Sequence, residues 1–96
     1  MSGKHHRGTR PDREIQVIWN SLRSRFDICF GGIPTGAHSA CKEVAVDIAI
    51  REARLEVNLT GLFIVVTSTL NGRRVLEWDG YGEDFEPAWK AANDQT

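Results

Sequence analysis

The clearest pattern in the chain is the apolar, β-branched run Leu62-Phe63-Ile64-Val65-Val66-Thr67-Ser68-Thr69, which suits a central strand packed on both faces at its start. Asn71-Gly72 follows it, and these two residues best tolerate the positive φ angles of a type I′ turn. Residues 73 to 79 then return, with Leu76 and Trp78 on one face and Val75 and Glu77 on the other. Residues 62–79 are therefore predicted to form a β-hairpin. Upstream, Leu55, Val57 and Leu59 alternate with Glu56, Asn58 and Thr60, the pattern of a strand with one wet face. Val44, Val46, Ile48 and Ile50 alternate in the same way with Ala45, Asp47, Ala49 and Arg51, which predicts another strand. The link Arg51-Glu52-Ala53-Arg54 holds no turn residue, so a helix over residues 39–53 is the competing assignment, and its Ala, Glu and Lys content favours it. Thr60-Gly61 reads as a tight turn before the hairpin.

Helical spacing dominates nearer the N-terminus. Ile15, Ile18, Trp19, Leu22 and Phe26 fall within about 100° of one another on a helical wheel, while Arg13, Asn20, Ser24 and Asp27 point elsewhere. Thr9 and Asp12 have capping-box spacing and Pro11 suits a first turn, so an amphipathic helix is predicted from residue 9. Phe30-Gly31-Gly32-Ile33-Pro34-Thr35-Gly36 ends it in a loop. Past the hairpin, Gly80 and Gly82 bracket Tyr81. Asp84 can cap a last helix with Phe85, Ala88, Trp89 and Ala92 on one face, Pro87 in its first turn and Glu86 at the positive dipole end. The expected class is α+β: a three- or four-stranded antiparallel β-meander with an N-terminal and a C-terminal helix packed on one face. Residues 1–8 read as a flexible basic arm and residues 9–96 as a single domain.

Length and charge sharpen this reading. Ninety-six residues supply one core and not two. No stretch approaches the roughly 18 consecutive apolar residues of a membrane span, and the basic start MSGKHHRGTR is not followed by an apolar export segment, so a cytoplasmic protein is expected. Cys29 and Cys41 are then expected as free thiols, and the sequon at Asn58, inside a strand pattern, as unmodified. The formal net charge of −1 conceals an asymmetry: residues 1–26 carry +4 and the remaining residues −5. Such a distribution bears on partners and not on fold.

No catalytic signature stands out. Cys29, His38 and Cys41, with His5 or His6 as a fourth ligand, have zinc-ligand chemistry, but only His38-x-x-Cys41 has knuckle spacing. A Cys-His nucleophile pair from the same residues requires them to converge in space. Glu77, Asp79, Glu83 and Asp84 supply carboxylates for acid-base work, for which a solvated acidic edge is the plainer reading. Gly31-Gly32-x-x-x-Gly36 lacks the following Lys-Ser or Lys-Thr of a phosphate loop. Lys4, Arg7, Arg10 and Arg13 form a basic stretch that could neutralise phosphates, interrupted by Asp12 and Glu14.

Residues 55–93 carry one resemblance. Phe63-x-Val65, Asn71-Gly72-Arg73-x-Val75, Gly80, Gly82 and Ala88-x-x-x-Ala92 look like the strand, strand, helix half of a double-stranded-RNA-binding domain. The resemblance implies a helix ahead of the sheet and another behind it. That family grips phosphate with lysines at the start of its last helix, whereas this chain has Glu83-Asp84-Phe85-Glu86 there, so the resemblance implies topology and no RNA binding.

The residues point first to a small non-enzymatic interaction module, an inhibitor or adaptor without cofactor. It would bind a protein partner or itself through the acidic edge Glu77, Trp78, Asp79, Tyr81, Glu83 and Asp84, where two aromatics sit among acids. A nucleic-acid-binding protein using the basic N-terminal residues is the second expectation, and a metal protein or enzyme using Cys29 to Cys41 the third.

Overall fold

In residues 13–30 alternation prevails over helical spacing. The computed structural model describes residues 10–82 together with two short pieces, His5–His6 and Phe85–Glu86. Its elements in chain order are β1 (His5–His6), β2 (Arg13–Asn20), β3 (Arg25–Phe30), β4 (Ile33–Ser39), α1 (Lys42–Thr60), β5 (Ile64–Leu70), β6 (Arg73–Gly80) and β7 (Phe85–Glu86). Five strands form one mixed sheet in the order β4-β3-β2-β5-β6. The class is α+β, as expected. The arrangement differs: β2 and β5 run parallel, α1 is the one helix among the described residues, and it lies between the fourth and fifth strands in sequence. The topology implied by the RNA-binding resemblance is not adopted.

The predicted N-terminal helix is replaced by the hairpin of β2 and β3. Ile15 and Val17 bury their side chains on the same face as Phe26 and Ile28, and Trp19 stacks on Phe26 with ring centroids 4.8 Å apart. Ile15, Trp19 and Phe26 belong to both patterns; the helical stripe fails at Ile18, which lies on the other face of the strand, and at Leu22, which is 96% exposed at the hairpin tip. Asp12 does not complete a capping box. Its backbone N–H donates to Phe63 O (2.8 Å) and its carboxylate accepts the Phe63 N–H (2.9 Å), which locks the start of β2 to the parallel strand β5. Gly31 and Gly32, both at positive φ, turn β3 into β4, so the expected loop is a hairpin turn followed by an edge strand.

The two strands predicted over residues 44–60 are one helix, the competing assignment over its first half. Its seam is Ala45, Ala49 and Ala53, all fully buried at i, i+4 spacing. The seam against the sheet is thus made of methyl groups; Val46, Ile50 and Val57 flank one side and Ile48 the other, while Val44 is exposed. The alternating large residues thus straddle the contact and do not define it. Gly61, in the left-handed region at φ 72°, ends the helix and donates its N–H to Val57 O at 2.7 Å. The boundary read at Thr60-Gly61 is where the helix stops.

The hairpin read from the sequence is present as β5 and β6, turning at Asn71 (φ 55°) and Gly72 (φ 77°). Every residue from Phe63 to Ser68 is buried, with Ile64 and Val66 under α1 and Phe63 and Val65 on the other face. Fully burying each such side chain contributes about 1.5–3 kcal/mol, which makes β5 the centre of the fold. Beyond the sheet, β1 pairs in parallel with β7, His5 opposite Phe85 and His6 opposite Glu86. Phe85 and Glu86 are therefore strand where a helical first turn was expected, and residues 87–96 of that expected helix lie outside the described residues. Among the described residues no helix is long and apolar enough to cross a membrane.

Candidate protein-interaction edge

The strand order leaves two edges, and they differ in kind. On β4, Pro34 removes a backbone donor, Gly36 sits at φ 94°, and the pairing with β3 shifts register between Asp27 and Cys29. Proline, irregularity and short regular stretches are how sheets blunt an edge against further pairing. β6 is eight residues long, ends the sheet on the other side, and is exposed from Arg73 to Leu76. Val75 (43% exposed) and Leu76 (59%) place one large apolar side chain on each face of it.

A β-bulge divides β6. Val66 lies opposite Trp78 and Thr67 opposite Leu76, so Glu77 is the extra residue. Both Glu77 and Trp78 consequently lie on the helix side: Trp78 packs on the core, and Glu77 Oε2 accepts from Ser68 Oγ at 2.5 Å and lies 3.4 Å from Lys42 Nζ. Gly80 makes room for the Trp78 indole, which a methyl group at that position would meet head-on. Asp79 lies on the opposite face with its register partner Val65, and Tyr81 meets Phe63 edge to face at 6.1 Å. The four described residues among the six expected partner-binding ones are thus distributed over two faces. Glu77 and Trp78 are on one, Asp79 and Tyr81 belong to the other, and Glu83 and Asp84 lie outside the described residues.

The face away from α1 carries a polar network that the sequence reading missed. Glu14 Oε2 accepts from Thr67 Oγ1 (2.6 Å) and from Arg74 Nη2 (2.5 Å), tying β2, β5 and β6 together. Nothing local in the sequence announces this contact, because Glu14 and Arg74 are 60 positions apart. At the other end of that face, Asp27 accepts from Asn20 Nδ2 and Arg25 Nε, both at 2.8 Å. The Asn20 hydrogen bond above all, with Arg25 and the nearby His38, holds the Asp27 carboxyl below the usual aspartate range against the opposing effect of partial burial.

The remaining candidates do not converge. Cys29 is buried in β3 and Cys41 is exposed at the start of α1; both are free thiols. Burial, reinforced by Asp27, pushes the Cys29 thiol up, away from nucleophilic thiolate character. His38 is exposed and stands opposite Asp27 in β4. Among the described residues no group of three or more His, Cys, Asp or Glu is placed to hold a metal ion. Of the basic stretch, Lys4 and Arg7 lie outside the described residues and Arg10 is exposed. Arg13 pairs with Glu56 at 3.1 Å and lies over the Phe30 ring. A cleft of about 300 Å³ opens between α1 and the β3–β4 side, lined by Ile15, Ile28, Phe30, Thr35, Ala37 and Glu52. Its Thr35 hydroxyl already donates to Ile28 O, so among the described residues Glu52 is the one other polar side chain that lines it. No family model, curated protein or solved structure matches the chain at a significant level of similarity.

Proposed function

We propose that this protein is a small non-enzymatic interaction module that binds a protein partner by strand addition along β6. The observation that carries the reading is the contrast between the two edges: β4 holds Pro34 and a Gly36 at positive φ, whereas β6 holds no proline and, ahead of its bulge at Glu77, presents exposed Val75 and Leu76 on a strand that ends the sheet among the described residues. In strand addition, main-chain hydrogen bonds supply affinity and side chains on alternating faces supply selectivity. Val75 and Leu76 are suited to that role, with Arg73 before them and Asp79 after them. The reading keeps the β6 part of the acidic edge and moves its centre from Trp78, which packs on the core, to the exposed residues just before it.

The test compares tagged wild-type protein with a Leu76→Lys variant as baits in an extract of the native host. Leu76 is 59% exposed, so the variant folds, and circular dichroism verifies it. Wild type is expected to retain a partner that the variant loses. Equal recovery by both baits would remove β6 from the binding surface.

A further inference from the structure

We infer that the segment added along β6 is an extended peptide whose acidic side chains, projecting on the α1 side, alternate with apolar ones on the other. The inference rests on the strand-addition reading and adds the chemical class of the partner.

It follows from what β6 presents on each face ahead of its bulge. Arg73 lies opposite Leu70 and Val75 opposite Ser68, on the face that α1 covers. Arg74 lies opposite Thr69 and Leu76 opposite Thr67, on the other face. The two faces differ in charge. On the α1 side a cavity of about 410 Å³ is lined by Lys42, Ser68, Leu70, Asn71, Arg73 and Val75, which include two cations and no carboxylate. Lys42 lies 3.4 Å from Glu77, whose carboxylate also accepts from Ser68. Arg73 makes no ion pair among the described residues, so this cavity keeps an unmatched cation. On the far face Arg74 is held by Glu14, and Leu76 remains as the exposed apolar side chain.

An added strand alternates its side chains between the same two faces. Those that project beside Arg73 and Val75 meet the cationic side, where a carboxylate finds an opposite charge and a lysine meets like ones. Their neighbours project beside Leu76, where an apolar side chain covers exposed aliphatic surface. The acids of β6 do not reverse this preference. Glu77 is matched by Ser68 and Lys42, and Asp79 lies beyond the bulge on the other face.

Fluorescence polarisation with the full chain and short, labelled, end-blocked peptides tests the inference. One peptide alternates valine with glutamate, another valine with glutamine, and another valine with lysine. The glutamate peptide is expected to bind about fivefold more tightly than the glutamine peptide and the lysine peptide most weakly, the differences shrinking as salt is raised. Arg73→Glu should reverse the order of the glutamate and lysine peptides with an unchanged circular dichroism spectrum. Arg51→Gln, which removes an exposed α1 arginine outside the cavity, should leave the order as it is. The reversal distinguishes pairing at Arg73 from damage to the fold and from general charge attraction. The inference is overturned by a glutamate peptide that does not bind, by equal affinity for all the peptides, or by an order that survives Arg73→Glu. Equal binding of all the peptides to wild type, lost in Leu76→Lys, would overturn the acidic class alone and leave strand addition standing. A glutamine peptide bound as tightly by Leu76→Lys as by wild type would overturn the strand-addition reading as well.

Discussion

Cys29 and Cys41 show how much a residue's chemistry depends on its place. In the sequence they are two equivalent thiols flanking His38. In the fold Cys29 is 5% exposed and its thiol is held protonated by burial, whereas Cys41 is exposed ahead of α1. Alkylation of native protein at mildly alkaline pH should therefore modify Cys41 rapidly and Cys29 only on unfolding, with Cys41→Ser abolishing the fast phase. Two equally fast thiols, counted by mass spectrometry, would contradict the burial of Cys29. Glu14 makes a similar point. It reads as an acid interrupting a basic stretch, and it becomes the acceptor that joins Thr67 of β5 to Arg74 of β6.

Among the elements, α1 best shows where pattern reading loses its grip. Four large residues alternate with small or polar ones, and the period-two pattern points to a strand. Ala45, Ala49 and Ala53 form an equally regular period-four pattern, which is easily overlooked because alanine signals apolar character weakly. These three methyl groups are fully buried between α1 and the sheet. Ala49→Leu inserts a larger side chain at a fully buried position and should cost about 1–3 kcal/mol, read as a lower urea midpoint; an unchanged midpoint would show that the seam has slack. The β2–β3 hairpin has the converse ambiguity: Ile15, Trp19 and Phe26 satisfy the helical period as well as the strand period. Leu22 at the tip and Asn20, whose side-chain oxygen accepts the Arg23 N–H at 3.2 Å, mark a turn that the helical stripe concealed.

For the whole molecule, the parallel pairing of β2 with β5 is decisive. It joins the segment before β3 to the segment after α1, and puts β5 between β2 and β6 with side chains buried on both faces. Amide exchange should follow this geometry. The β5 amides are expected to exchange only on global unfolding, and the amides of β4, exposed from Ile33 to Gly36, by local opening at lower protection. Equal protection in the two strands would count against β5 as the centre of the fold.

The sequence by itself determined the features that depend on neighbouring residues: the hairpin turn at Asn71-Gly72, the doubly buried start of β5 and the break at Gly61. Each follows from local backbone preference or from an apolar run too strong to be read otherwise. Only the tertiary structure decided between helix and strand for residues 13–30 and 42–60, because there both periods are written into the same residues and the choice falls to whichever face finds a partner. It also decided the parallel contact of β2 with β5 and the bulge at Glu77, which divides the expected acidic edge between two faces. That β6 ends the sheet among the described residues is a property of the fold alone.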